Sequence, residues 1–562
     1  MTRTLRIGNA SGFYGDRFTA WRDLLDGGEL DVLTGDYLAE LTMLILGRDR
    51  AKDARTGYAK TFLRQMEQCL GTALDRGVKV VTNAGGLNPF GLAEGLKALK
   101  ALRPDAKIGI VDGDDVTARF PGALTANAYL GAFGIAECLA AGADIVVTGR
   151  VTDASLVVGP AIAHFGWSRD DFDALAGATA AGHVLECGAQ ATGGNYAFFT
   201  ELPDSGRRPG FPIAELHSDG SAVITKHPGT GGAVTPETIT AQLLYEIGAP
   251  AYVGPDVVTH FDTIRLREDG PDRVRIEGVR GSAPPPTLKV GVSTLAGYRN
   301  AMTFVLCGLA IEAKAALARA QLEDAVGPDG LEFTLARTDH PDAGTEEAAS
   351  ALLHVHITDG DARRAGRAFS QAAVELALAS YPGFTLTGPP GDATPVGVFT
   401  AEFVPQSDVP HTAVLPSGER VPIAPPPIVG TESAPPAVHG AAAAPTGPTR
   451  RVPLGTVAGA RSGDKGGDAN LGVWARTDRS YGWLRDFLTV ERVRELLPET
   501  DALAIDRYEL PNLRALNFVL HGLLGRGVAA STRFDPQAKA LGEWLRSRLV
   551  DIPEEIVPEE LL

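Results

Sequence analysis

Between Leu5 and Phe165 the chain repeats one local pattern: a short β-branched run, a turn of glycine and polar residues, and then a helix-forming segment. The clearest copy is VVTNAGGLNP, Val80 to Pro89, where the run breaks at Asn83-Ala84-Gly85-Gly86 and restarts as a helix from Phe90 to Leu102. The other two copies are Gly8 to Arg17 and Ile145 to Ser155. From Tyr58 to Arg76, Phe62, Leu63, Met66, Cys69, Leu70, Ala73 and Leu74 fall at helical spacing, Gly77 ends the run, and KVVT follows as a strand. A helix with Leu130, Phe133, Ile135 and Leu139 ends at Ala141-Gly142 before ADIVVTGRVTD, and Lys107–Val111 makes a further strand running into DGDD, Asp112–Asp115. Helix, glycine and strand in alternation predict a parallel, doubly wound sheet. In such sheets ligands gather at the C-terminal ends of the strands, beside free backbone N–H groups and helix N-termini. Three turns of this kind therefore predict one ligand-binding rim.

Length and charge narrow the classes. With 562 residues, 44% of them apolar, the chain predicts two to four domains with ample core. The formal charge of −17 argues against broad binding to nucleic acid or an acidic membrane, because either needs a basic surface. Cys69, Cys138, Cys187 and Cys307 are widely spaced and form no CxxC pair, so no zinc ribbon is expected. MTRTLRIGNASG has no signal-peptide run and no apolar stretch is long enough to span a bilayer, which predicts a cytoplasmic protein.

After Gly193 strand-like pieces dominate: ELHSDGSAVITKH with a hairpin turn at Asp219-Gly220, then VVTHFDTIRLRE and DRVRIEGVRG. Further on, Leu353–Ile357 reads as a strand with His354 and His356 on one side. We read these as a possible second α+β lobe from about residue 195, within one unit of residues 1–421. Residues 422–450 are rich in Pro and Ala and predict a linker. Residues 451–562 predict a compact α+β domain that holds strand, basic glycine turn and strand in LGTVAGARSGDKGGDANLGVWAR. Helices are expected around Val490–Leu497 and over Pro536–Leu549, with a frayed tail, DIPEEIVPEELL.

Several long motifs, in order, resemble the acyclic terpene utilization (AtuA-like) proteins: GNASGFYGDR, TNAGGLNP, GADIVVTGRVTDASL, AGHVLECGAQATGGN, AVITKHPGTGGAV, QLLYEIGAPAYVGPDVV, ARSGDKGGDANLGV and ELPNLRALNFVL. The resemblance covers nearly the whole chain and is least distinctive from about Pro255 to Pro410. It implies a large N-terminal α/β domain with a mostly parallel sheet and a small C-terminal ferredoxin-like α+β domain. It also implies catabolism of acyclic terpenoids and branched acids on coenzyme A thioesters, with hydratase or 3-hydroxyacyl lyase action. A pathway or fold does not fix the chemistry.

Candidate residues lie in the turns. Asp16 could act as a base and Arg17 could meet an anion, with helix capping as the structural alternative. Gly12 and Gly15 belong to the same loop, which misses GxGxxG. Asn83, beside Gly85 and Gly86, could hold a thioester oxygen as enolate charge develops; the alternative is an Asn suited to a tight turn. Arg150 offers a fork for a carboxylate or phosphate, with Asp153 as base or orienting group, unless the two form an internal salt bridge. His183 and Glu186, three apart on a helix, could serve as general acid and base or form a structural pair. Cys187 reads as core.

Gly193-Gly194 and Gly231-Gly232 could be lids or backbone cradles, or plain hairpin turns, and Lys226 could meet an anion. In ARSGDKGGDAN, Arg461, Ser462, Asp464, Lys465, Gly466 and Asn470 suit the phosphate end of coenzyme A. A network tying the two domains together is the alternative there. GxxxxGK[ST] is missing, which excludes a P-loop NTPase, and so is GxSxG. The expectation is an enzyme acting on an acyl-CoA, without a metal or permanently bound cofactor, probed against a non-catalytic acyl-CoA-binding or carboxylase-associated subunit. A homo-oligomer is also expected.

Overall fold

The computed structural model describes residues 4–99, 103–430, 444–445 and 447–559. Residues 431–443 and 446 of the Pro/Ala-rich linker lie outside the described residues, and the helix expected over Phe90–Leu102 ends at Lys97. The chain opens with β1 (Leu5–Asn9), α1 (Ala20–Gly27), β2 (Val32–Gly35), α2 (Glu40–Lys52) and α3 (Lys60–Asp75). Next come β3 (Lys79–Thr82), α4 (Pro89–Lys97), β4 (Ile108–Asp112), β5 (Thr125–Ala128), α5 (Phe133–Ala140), β6 (Ile145–Thr148), α6 (Ser155–Phe165) and α7 (Phe172–Glu186). Strands β1, β2, β3, β6 and β4 lie side by side in that order, all parallel. Their apolar runs are continuous because both faces of the sheet are covered: Val80, Val81, Ile145, Val146 and Val147 are all buried. Parallel pairing puts the three glycine turns at one end of the sheet, as the repeated pattern predicts.

Helix α7 is buried on every side from Ala174 to Glu186. Its small residues allow this: a Cβ on Gly177 would lie 2.2 Å from the Gly220 carbonyl oxygen, and one on Gly182 would lie 2.8 Å from Ala154 Cα. A helix without a polar face belongs in a core.

The segments after Gly193 do not form a second lobe. β7 (Pro212–Leu216) and β8 (Ala222–Lys226) form the expected hairpin, and β7 pairs antiparallel with β1. After α8 (Pro236–Leu243), β9 (Ala251–Val253) and β10 (Val258–His260), strands β11 (Arg265–Glu268) and β12 (Val274–Glu277) extend the same sheet beyond β8. Ala222 and Ile224 of β8, with Val274 and Ile276 of β12, complete the main core, which removes the reason for a separate one.

A distinct compact unit does exist, but it comprises Thr294–Val398 and Ala529–Phe534. After β13 (Arg280–Ser282), β14 (Thr287–Cys307) gives its first residues to the large unit, where it pairs with β5, and the remainder to this one. Here α9 (Ile311–Val326), β15 (Leu331–Ala336), β16 (Ser350–Asp359), α10 (Phe369–Glu375) and β17 (Thr385–Leu386) surround Phe304, Leu353, Val355 and Phe369. His354 and His356 fall on the opposite face of β16 from Leu353, Val355 and Ile357, as period two requires. After β18 (Thr394–Pro405), β19 (Thr412–Val414) and β20 (Arg420–Pro422) close the far edge of the large sheet.

The C-terminal domain begins with β21 (Thr449–Pro453) and continues through β22 (Ala458–Lys465), β23 (Asp468–Ala475), α11 (Asp478–Phe487), α12 (Val490–Leu496), β24 (Ile505–Leu510), β25 (Ala515–Leu520), α13 (Leu541–Arg546) and β26 (Leu549–Pro553). The expected Pro536–Leu549 helix shortens to α13. The start of the tail read as frayed is strand β26, paired with β21. The antiparallel sheet β22-β23-β25-β24 has two different faces. Ala469, Leu471 and Val473 pack with Leu484, Val493 and Leu545 of the helices. Asn470, Gly472 and Trp474 alternate with them and turn to the N-terminal domain, where a Cβ on Gly472 would stand 2.6 Å from Leu244 Cβ.

Candidate functional site

The rim at the C-terminal ends of the parallel strands is organised around Arg150, just beyond β6. Its Nη1 donates to the Leu38 carbonyl at 3.0 Å and to Asp153 Oδ1 at 2.8 Å. Its guanidinium stands 4.1 Å from the centre of the Tyr129 ring, and its backbone N–H donates to Asp114 Oδ2 at 2.9 Å. The side chain thus ties the exit of β2 to that of β6, and the backbone N–H holds the exit of β4. Burial works against its charge, but Asp153, Tyr129 and Asp36 outweigh it and hold the cation firmly protonated.

Asp36, just past β2, is buried and accepts from Asn83 Nδ2 at 2.6 Å. Burial and then the Asp153 charge push its carboxyl well above the usual range. Asp114 accepts from Asn127 and from the Arg150 amide, yet burial still raises it to about 7. Asn83 is therefore not an open oxyanion donor: Oδ1 accepts from the Tyr37 amide at 2.8 Å while Nδ2 serves Asp36. The Gly86 N–H donates to the Asn83 carbonyl, and Gly85 has no room for a side chain beside Thr148, whose carbonyl oxygen a Cβ would meet at 2.4 Å. This turn shapes the rim from behind.

Glu186 reaches the rim from the last turn of α7, and that turn is anchored by Asn9, whose Nδ2 donates to the carbonyls of Leu185 and Glu186. Burial first, and Asp153 second, raise the Glu186 carboxyl well above its ordinary value. His183 Nδ1 lies 2.9 Å from Glu186 Oε1, so the two meet as helical spacing predicts. The imidazole is 1% exposed, packs against the stacked Tyr252 and Phe261 rings, and is held neutral by burial, its pKa lowered to about 4. It backs Glu186 and does not touch solvent, which makes it a positioning group and not an acid or base for a ligand.

The C-terminal domain supplies the remaining residues. The β22–β23 hairpin carries Asp464 and Lys465, and Lys539 Nζ lies 3.1 Å from Glu246 Oε1 and 3.5 Å from Asp464 Oδ1. Glu246 adopts the left-handed backbone (φ 57), held by its N–H donating to Asn470 Oδ1 at 2.8 Å. Gly463 is needed here, since a Cβ would stand 2.6 Å from the Tyr245 ring. Burial and Asp464 raise the Glu246 carboxyl; burial and Glu40 raise Asp464 to about 7; burial lowers Lys539 to about 8. Glu40, at the start of α2, is raised by burial as well.

The other expected residues close on the protein itself. Asp16 accepts from the Gly12 and Arg17 amides and closes the loop on itself without capping α1, and Arg17 donates to the Pro209 carbonyl and lies over Phe211. Gly12 matters for space: a Cβ would be 2.7 Å from the Cys187 carbonyl carbon, at the end of α7, while one on Gly15 would meet the Phe13 ring. The Gly193 and Gly194 amides donate to Gln190 and Ala189, the Gly231 carbonyl accepts from Gly210, and Gly232 abuts Thr192. Lys226 pairs with Asp272 at 2.9 Å.

The anion nest expected at ARSGDKGGDAN is also absent as such. Arg461, Ser462 and Asp464 lie in a strand paired residue for residue with β23, and only Gly466 and Gly467 form the turn. Arg461 donates to Gln190, Ser462 Oγ accepts from the Gly542 amide, and Asn470 holds Glu246. Arg461 and Asn470 thus tie this domain to the N-terminal one. Lys465 ends the strand, its Nζ 3.5 Å from the Glu246 carbonyl oxygen.

Asp36, Glu40, Asp114, Tyr129, Tyr252, Glu246 and Lys539 were not among the expected residues. Asp36 carried a signal, since it ends a strand as Asn83 does; Lys539 carried none.

The geometry describes an α/β protein with a charged cleft completed by a second domain. The family model of the acyclic terpene utilisation family protein AtuA matches residues 5–415, and that of the AtuA ferredoxin-like domain matches residues 452–551. The chain belongs to the AtuA family, which is implicated in acyclic terpene utilisation. Comparison with curated proteins gave no match. Among the described residues no helix is long and apolar enough to cross a membrane, and no three His, Cys, Asp or Glu side chains are placed to hold a metal ion.

Proposed function

We propose that the chain is an enzyme of acyclic terpenoid or branched-acid breakdown that acts on an acyl-CoA thioester, adding or removing water or cleaving a 3-hydroxyacyl thioester. The observation that carries this reading is the placement of Asp153 near enough to Glu186 at the rim for its charge to act on that carboxyl group. Asp153 is a carboxylate fixed by Arg150, and Glu186 is held towards its protonated form by burial and by the Asp153 charge. Environments that drive two carboxyl groups apart assign a base and an acid.

In hydration, Asp153 takes a proton from water as its oxygen bonds to Cβ, and Glu186 delivers a proton to Cα. In cleavage, Asp153 takes the hydroxyl proton, the Cα–Cβ bond breaks, and Glu186 protonates the departing thioester enolate. Both paths use one base and one acid and balance without a redox partner. His183 behind Glu186 keeps the acid in place, and Arg150 Nη1 holds the base in position.

A panel of enoyl- and 3-hydroxyacyl-CoA thioesters, followed by mass spectrometry, tests the reading. Turnover should appear with the native chain and fall by at least about 10²-fold in Glu186→Gln and in Asp153→Asn, with thioester binding retained. Binding without turnover on every thioester would instead favour the acyl-CoA-binding or carboxylase-associated subunit.

A further inference from the structure

We propose that Lys289 and Lys465 together grip an anionic group of the ligand, a carboxylate or a phosphate, between the N-terminal sheet domain and the ferredoxin-like domain. The inference rests on the reading of this cleft as the substrate site. Lys289 comes from the first residues of β14. Its ammonium lies 4.8 Å from the centre of the Tyr129 ring and 5.6 Å from that of Phe399, and no carboxylate among the described residues is in ion-pair contact with it. Lys465 stands at the end of β22, and its contact is the Glu246 carbonyl oxygen at 3.5 Å, again with no carboxylate in ion-pair contact. The other cations nearby are neutralised: Lys539 by Glu246 and Asp464, and Arg150 by Asp153.

Phe399 links the two: a Cβ on Gly466, next to Lys465, would lie 3.9 Å from its ring, whose centre is 5.6 Å from the Lys289 ammonium. Burial and then the Lys289 charge pull Lys465 below the ordinary lysine range. Glu40 acts on both, but burial pushes its carboxyl towards the neutral form, so it compensates poorly. Bringing two like charges into a crowded cleft without counter-ions is unfavourable, and an anion placed between them removes the penalty. Two ammonium point charges suit a small oxyanion approached from two directions, whereas a planar fork would favour one face-on pair. Tyr129 and Phe399 stabilise the Lys289 cation in the empty state through their ring faces.

Calorimetric titration of the full chain tests this with two probes: adenosine 3′,5′-bisphosphate for the phosphate end of coenzyme A, and glutarate for a carboxylate on the acyl chain. One probe should bind the native chain, and Lys289→Gln and Lys465→Gln should each weaken it at least tenfold while circular dichroism stays unchanged. Lys52→Gln, at an exposed position on α2, controls for net charge and should bind as the native chain does. Which probe binds identifies the source of the anion. The proposal is overturned if neither probe binds, or if both cleft variants bind like the Lys52→Gln control. The readout is binding, so absence of turnover on the thioester panel would leave this test standing.

Discussion

The rim of the large sheet and the compact unit of Thr294–Val398 treat charge in opposite ways. In the compact unit ion pairs lie on the outside: Arg319–Glu323 spans one helical turn with side chains 60% and 31% exposed, and Arg337 meets Asp339 and Glu312 in the open. Its interior is Phe304, Leu353, Val355, Ile357 and Phe369. At the rim Asp36, Asp114, Arg150 and Glu186 are each less than a tenth exposed. Burying an ion costs several kcal/mol unless geometry returns it, so ordinary packing drives charge outward. A region that keeps four ionisable groups inside gives up stability that ordinary packing would keep.

The comparison can be broken most directly at Arg150. Arg150→Met removes the partner of Asp153 and the bond to the Leu38 carbonyl, and should cost roughly 3–5 kcal/mol in urea unfolding. A loss below about 1 kcal/mol would make the rim no different from the surface pairs.

Asp114 offers a pH signature nearly as large. Its pKa is raised to about 7 by burial, against 3.8 when unhindered. Its contribution to stability is present in full below about pH 4 and is lost as pH rises through 7, at up to roughly 1.4 kcal/mol per pH unit. Asp114→Asn should therefore gain on the native chain between about pH 4 and pH 7 and then level off. A difference independent of pH would show that Asp114 is ionised throughout.

Asn83→Ala should cost about 1–3 kcal/mol, because it strips the Tyr37 amide and Asp36 of their partner in a buried site. Any fall in turnover should then track the state of Asp36, giving a shifted pH profile and not a uniform loss. At the small end, Glu323→Gln in the compact unit should change stability by less than about 0.5 kcal/mol, read by the same urea titration.

Much of the rim was legible beforehand because strand-end turns have local signatures. Arg150 with Asp153, and His183 with Glu186, were visible as pairs at helical or turn spacing, and the structure brings both pairs together. The roles shifted where burial intervened. Asn83 reads from its neighbours like an exposed donor, but Asp36, far away in sequence, consumes it. His183 reads like an acid–base group, but two aromatic rings from other segments shut it off from solvent.

The sequence by itself determined the alternation of strand, turn and helix, the parallel order that follows from it, and the family motifs, since these rest on contacts a few residues long. Tertiary structure alone decided that β7, β8, β11 and β12 join the first sheet and that a hairpin beyond the linker delivers Asp464 and Lys465 to a cleft opened by Asp36 and Arg150. It also decided which carboxyl groups are driven towards neutrality. The reason is physical: desolvation and Coulomb interaction depend on what surrounds a group in space, and no run of neighbouring residues records that.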